Sequence, residues 1–236
     1  MREIVFDLET TGFRFDEGHR IVEIGAVEMV RGALTGKTFH TYVNPERDMP
    51  EGAYNVHGLS EKFLSDKPVF TDPSVARAFQ AFVGDADLVA HNGVSFDVPF
   101  MNAELKAAGF ATLDNRVIDT LHIARKKFPG SPASLDALCS RFGVDTKERE
   151  RDGHGALLDS KLLATVYIEL TGGAQAGLDF ADKAGRAARN RGGRQAAKQR
   201  PAALNSLVTD EEAAAHAAFI EEMGADCLWL KAPGGR

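Results

Sequence analysis

The sequence predicts an α/β domain, a mixed sheet covered by helices, followed by a flexible tether and a short C-terminal helix. Three observations carry that expectation. Short strand-like runs crowd the first 44 residues, strand-like and helix-like segments alternate from Asp72 to Leu170, and the composition changes abruptly at Thr171-Gly172-Gly173.

The elements follow in order. VFDLE near the chain start is an apolar run suited to a buried strand. His19 to Val30 and Lys37 to Asn44 read as further strands around the turn-like Arg31-Gly32-Ala33, which makes an antiparallel meander. Asp72-Pro73-Ser74 looks like a helix cap with proline in the first turn, and Val75, Phe79 and Phe82 follow at helical spacing. Asp87 to His91 reads as a strand. Ser95 is placed to cap a helix whose inner face is Phe100, Met101, Leu105 and Ala108, ending at Gly109. Val117 to Asp119 is a short strand, Leu121 to Phe128 a helix, Ser134 opens a helix stopped by Gly143, and Ala156 to Leu170 is the last long helix.

Beyond Thr171 the chain has few large apolar groups, too few to offset the entropy of ordering it. The expected division is a folded domain over 1–172, a linker over 173–205 and a C-terminal segment over 206–236. In the last, Thr209-Asp210-Glu211-Glu212 has capping-box spacing, with Ala213, Ala217, Ile220 and Met223 along one side and Gly224 as the stop.

Composition narrows the function classes. The 236 residues are 44% hydrophobic, enough for a substantial core, and no run approaches the roughly 18 apolar residues of a membrane-spanning helix, so no membrane partner is expected. Two cysteines, Cys139 and Cys227, and an N-terminus without an apolar leader suit a reducing cytoplasm. The net charge of −6 is uneven: Ala181 to Arg200 carries +6, leaving −12 on the rest. An acidic body does not hold a polyanion by bulk electrostatics, so a nucleic-acid substrate would need bound metal or a partner to supply attraction.

Asp7 and Glu9 stand two apart in an apolar strand, so both project to one face while Phe6 and Leu8 enter the other layer. Burying one unpaired carboxylate is costly, and two on one face make a hard-oxygen site suited to Mg²⁺ or Mn²⁺. Asp97 lies where a strand leaves the sheet and a helix begins, and Asp159 lies near the start of the last helix with His154 on a glycine-flanked loop before it. Each alone has an ordinary reading: an exposed acidic edge for Asp7 and Glu9, a dipole-favoured first-turn acid for Asp97 and a surface helix acid for Asp159.

Taken together, FDLETTG, HNGVSFDVPFM and HGALLD resemble the three motifs of the four-acid-plus-histidine family of 3′→5′ exonucleases, which implies a ribonuclease H-like fold. HRIVEIGAVE, VHGLS, ARKKFPG through SLDALCSRFGV, and CLWLKA further resemble the proofreading epsilon-subunit family of bacterial DNA polymerase III, over nearly the whole chain. The resemblance implies removal of mispaired nucleotides from a DNA 3′ end, single-stranded or frayed, as 5′-monophosphates. It implies that Asp7, Glu9, Asp97 and Asp159 hold two divalent ions, Mg²⁺ or Mn²⁺, about 4 Å apart with Asp7 as the bridge. His154 then takes the proton from the attacking water, a task suited to a group titrating near neutrality. The related tyrosine-type enzymes carry Tyr four residues before the last acid; Gly155 stands there, which favours the histidine type.

The resemblance also assigns Thr10, Val56, His57 and Phe96 to the terminal nucleotide. The chain departs from the family pattern at Gly52, where Glu is usual, and Glu51 is adjacent. A capping role for His57 in its turn is the alternative. Gln175, Leu178 and Phe180 fit Q-x-x-L-x-F, which resembles the peptide that bacterial partners insert into the sliding clamp. Leu228 and Trp229 sit in a segment too small to form its own core, and the resemblance implies docking on the polymerase III α subunit.

Overall fold

The computed structural model describes residues 1–172 and 208–223. The sheet has five strands, β1 (Arg2–Thr10), β2 (Ile21–Val30), β3 (Ala33–Tyr42), β4 (Asp87–Ala90) and β5 (Val117–Asp119), in the order β3-β2-β1-β4-β5. The first three form the expected antiparallel meander, and β4 and β5 add in parallel beside β1. The sheet is therefore mixed, with β1 at its centre. Arg31 and Gly32 both take positive φ, 54° and 78°, in the tight turn that pairs Val30 with Ala33.

Side-chain alternation along β1 divides the core into two layers. Ile4, Phe6 and Leu8 pack with Phe79 and Val83 of α3 (Ala76–Val83) and with Phe100, Met101 and Leu105 of α4 (Asp97–Ala107). Val5 faces the other way with Val27, Met29 and Val89, against Leu163, Ala164 and Tyr167 of α8 (Ala156–Thr171). That second face is the one shared by Asp7 and Glu9. Outside α8, Leu138 and Cys139 of α6 (Leu135–Phe142) and Ala124 of α5 (Thr120–Lys127) form a third small cluster with Val166 and Leu170.

Several boundaries differ from the sequence expectation for identifiable reasons. Helix α3 begins at Ala76 rather than at Asp72, because the Asp72 carboxylate accepts from the Ser74 amide and hydroxyl, at 2.8 and 2.6 Å, and closes its own turn first. Ser95 is not a cap: Phe96 is the N-cap residue of α4, without a side-chain cap bond. The intervening residues form a turn pressed so closely on β4 that a Cβ on Gly93 would lie 2.4 Å from that of Ala90. The Asp119 carboxylate holds that turn, accepting from the amides of Asn92 and Val94, and also caps α5 through the amides of Leu121 and His122. Ser134 and Gly143 bound α6 as expected, with Gly143 left-handed at φ 67°.

Three short helices had no clear sequence signal, α1 (Glu51–His57), α2 (Glu61–Leu64) and α7 (Lys147–Asp152). Considered by itself, the helix α9 (Asp210–Glu222) carries the expected capping box between Thr209 and Glu212, and its residues are exposed apart from the half-buried Ile220. Gln175, Leu178, Phe180, Leu228 and Trp229 lie outside the described residues, as does the linker over 173–205.

Candidate active site

The end of β1 collects carboxylates from three directions. Glu9 is 8% exposed, Asp97 at the first turn of α4 is 2% exposed, and Asp159 in the first turn of α8 is 4% exposed; Asp7 is only partly buried. Burial pushes Asp7 well above the usual carboxylate range, and the charges of Asp97, Glu9 and Asp159 push the same way. Burial first, then the neighbouring Asp159 and Glu23 charges, raise Glu9 to about 8. Asp97 is raised to about 7 by burial, against hydrogen bonds from its own amide and that of Leu8. The four acids predicted from sequence thus meet in one place, and each resists ionisation there unless cations are supplied.

Other buried acids show that the apolar context alone does not mark this site. Glu28 is bonded by Arg2 at 2.6 Å and by Thr35 at 2.8 Å, and the Arg2 hydrogen bond leads in holding it down at about 2. Glu104 is gripped by both ends of the Arg20 guanidinium, at 2.8 and 2.9 Å, and by the Ile21 amide. Glu3 accepts from the Tyr167 hydroxyl at 2.8 Å. These acids have protein partners. Asp7 and Glu9 instead sit among like charges, and Asp97, Asp159 and Glu23 push both of them up.

Two site residues escaped the sequence reading. Glu23 of β2, 3% exposed, is the register partner of Glu9 and adds a fifth carboxylate to the same face, hydrogen-bonded to His40 Nε2 at 2.7 Å. The same apolar run, IVEIGAVEMV, also holds Glu28, so sequence context did not separate the site acid from the paired one. Arg149 of α7 enters with a side chain only 9% exposed: Nε lies 2.7 Å from Asp159 Oδ1 and Nη2 3.1 Å from Asp159 Oδ2. The same Nη2 lies 2.7 Å from His154 Nδ1. Nothing in the charged run KERERD singled Arg149 out from its neighbours.

His154 sits between Gly153, at φ 84°, and Gly155, with its Nδ1 3.3 Å from Asp159 Oδ2. Ligand atoms of Glu9, His154 and Asp159 all lie within 4.8 Å of one another, close enough to share one ion. Burial raises Asp159 as well, while the adjacent Arg149 and His154 oppose the shift.

Comparison with known proteins decides the family. An exonuclease family model matches residues 4–167. The DNA polymerase III subunit epsilon of Rickettsia felis is 52% identical over 187 residues, covering 78% of this chain and 80% of the relative, and that of Escherichia coli K12 is 43% identical over 249 aligned positions, covering 97% of each. The chain belongs to the DNA polymerase III epsilon-subunit family. Among solved structures, exonuclease X in complex with 5′ overhanging duplex DNA is similar with a TM-score of 0.55 and 26% identity, covering 72% of this chain and 90% of that one. Escherichia coli exonuclease I in complex with a dT13 oligonucleotide shares the fold at a TM-score of 0.61 and 17% identity, covering 72% of this chain and 40% of the other.

The ribonuclease H-like fold expected from the motifs is thus the fold of the epsilon family. Exonucleases of this family depend on divalent metal, and the donors here fit such ions: hard oxygens, buried, mutually destabilising as anions, with an imidazole beside them.

Next to the acids, a cavity of about 500 Å³ is lined by Leu8, Thr10, Phe13, Val56, His57 and Phe96, among others. All four residues assigned to the nucleotide line it. Thr10 donates its hydroxyl to the Gly12 carbonyl at 2.6 Å. His57 ends α1 and is 5% exposed; its Nδ1 accepts from the Leu59 amide at 3.0 Å, so it serves its turn as well as the cavity. Burial lowers its pKa, against the charge of Glu23. Gly52 lines the cavity with open space around it, whereas Glu51 is exposed and is not among the lining residues. Phe13 is 86% exposed, stacked edge-on to Phe96 at 6.4 Å. Asp119 remains a structural cap.

Proposed function

We propose that the chain is the proofreading 3′→5′ exonuclease of a bacterial replicative DNA polymerase, releasing mispaired 3′-terminal nucleotides as 5′-monophosphates. The observation that carries this reading is the convergence of Asp7, Glu9, Asp97 and Asp159 with His154 beside a nucleotide-sized cavity. When bound, two divalent ions, Mg²⁺ or Mn²⁺, supply an acidified water and neutralise the departing 3′ oxygen.

The chain's own residues do the rest. Asp7 feels the charge of all three other acids, and Asp7, Glu9, Asp97 and Asp159 would together hold the ions. Thr10, Val56, His57 and Phe96 seat the terminal sugar and base in the adjoining cavity, with the ring of Phe96 against the base. His154 accepts the proton of the attacking water, and the glycines on either side let its loop close over a bound strand. The acidic body relies on bound metal and on tethering for its hold on DNA.

The polymerase association carried by the epsilon family name extends, in this reading, to two contacts: Leu228 and Trp229 dock on the polymerase α subunit, and Gln175, Leu178 and Phe180 insert into the sliding clamp. Support for these is the sequence pattern and the 97% coverage of the Escherichia coli relative. A tethered nuclease would be held at high effective concentration beside the primer end.

The test is a product assay on a 3′-mismatched primer with Mg²⁺. Stepwise 5′-monophosphates, faster from the mismatch than from a paired end, are expected; endonucleolytic fragments, or preference for RNA, would refute the reading. A chain ending at Gly173 should keep nuclease activity and lose co-purification with the α subunit.

A further inference from the structure

Arg149 occupies an odd position for a residue in a site that must admit metal. Its guanidinium donates from Nη2 to Asp159 Oδ2 at 3.1 Å and sets Nε 2.7 Å from Oδ1 as an ion pair without hydrogen-bond geometry, and Nη2 also reaches His154 Nδ1, at 2.7 Å. Arginine has only donors, so His154 must accept at Nδ1 and carry its ring proton on Nε2. In that arrangement the imidazole has no free nitrogen with which to take a proton from water. The same contact places a positive charge on Asp159, one of the carboxylates that would bind metal. A divalent ion and a guanidinium a few ångströms apart on one carboxylate repel strongly in a buried site.

The outer end of the guanidinium has somewhere to go. Arg149 Nη1 is also bonded to Asp136, on α6, whose side chain is 69% exposed. Helix α7, which carries Arg149, has six residues and no side-chain cap, and is followed by the left-handed Gly153. The element that holds the guanidinium is therefore a single short helix.

We propose that Arg149 is a competing cation built into the site: it holds Asp159 and His154 until divalent metal displaces it outward onto Asp136, and its departure frees His154 as the base. This rests on the metal-exonuclease reading above. Metal loading and activation of the base thereby become one event, and hydrolysis is withheld until Asp159 has exchanged its guanidinium for metal.

The test is Mn²⁺ titration of the full-length chain by calorimetry, comparing wild type with Arg149→Ala and Arg149→Lys. Arg149→Ala should bind Mn²⁺ roughly tenfold or more tightly, as expected when a competing interaction of ordinary coupling strength is removed. Arg149→Lys, which keeps the charge and loses the fork, should fall between. In wild type, ¹⁵N imidazole spectra should show the Nδ1 resonance of His154 shift as Mg²⁺, which is diamagnetic, is added, a readout independent of any variant's folding. Unchanged or weaker Mn²⁺ binding in Arg149→Ala, with binding still abolished by Asp7→Asn, overturns the role of Arg149 alone. Binding insensitive to Asp7→Asn overturns the metal reading itself and this proposal with it.

Discussion

Gly25→Ala is a severe test of how the site is built. Gly25 lies in β2 opposite Asp7, and a Cβ there would stand 2.1 Å from the Ala156 carbonyl carbon and 2.1 Å from the Leu157 nitrogen. Those are backbone atoms of the first turn of α8, the turn that carries Asp159, and Ser160 Oγ donates to the Gly25 carbonyl at 2.9 Å in the same buried contact. Ordinary van der Waals contact begins near 3.4 Å, so the helix start must move by about 1.3 Å. No flexible side chain is available to yield, which puts the cost at the upper end of the overpacking range, about 3 kcal/mol. For a domain of this size that is a fall in Tm of roughly 6–12 °C. The same displacement drags Asp159 off the other acids, and misplacing a catalytic group by about 1 Å costs on the order of 10²-fold in rate. Scanning calorimetry and single-strand digestion with Mg²⁺ measure the two effects. A Gly25→Ala protein melting within a degree or two of wild type, with undiminished turnover, would show that α8 is not locked to β2 in this way.

The remaining predictions concern the site directly. Asp7→Asn and Asp159→Asn should each abolish Mg²⁺-dependent digestion and sharply weaken metal binding; near-normal turnover in either would remove that residue from the ligand set. His154→Ala should slow hydrolysis by about 10²-fold or more while retaining metal, as for loss of a general base; loss of bound metal instead would make His154 a ligand, as its distance to Glu9 and Asp159 permits. With a chelator present, stability should fall as pH rises from about 5 to about 8. Glu9 and Asp97 titrate at about 8 and about 7 when folded but near 4 when unfolded, so the folded chain holds more protons and loses that advantage as they ionise. Mn²⁺ should flatten the slope; a Tm independent of pH in chelator would contradict the clustering of these acids.

Much of the fold was legible because its strongest signals are local. The meander, the alternation after Asp72 and the caps at Ser134 and Gly143 all follow from period and turn chemistry. Errors came where side chains made bonds that spacing does not encode: Asp72 closed its own turn, and Asp119 reached back to the Asn92 turn and displaced the start of α4 to Asp97. At the site, Asp7, Glu9, Asp97 and Asp159 were readable from motif and strand parity. Glu23 was missed because it lies on a different strand, joined to Glu9 only by pairing register. Arg149 was missed because a basic residue in a charged run looks solvated until a neighbouring helix start is brought against it.

The pairing of β1 with β4 spans only Glu3 to Val5, although β1 continues to Thr10. Past Val5 the sheet parts like an open zip, and the Leu8 amide on that bare margin turns to the Asp97 carboxylate. Two more residues in β4 would close the seam and shut the fourth acid out. Insertions should therefore be barred between Ala90 and Asp97 yet tolerated at the Arg31-Gly32 bend, so that a map of viable insertions along this chain would trace the crevice without any nuclease being assayed.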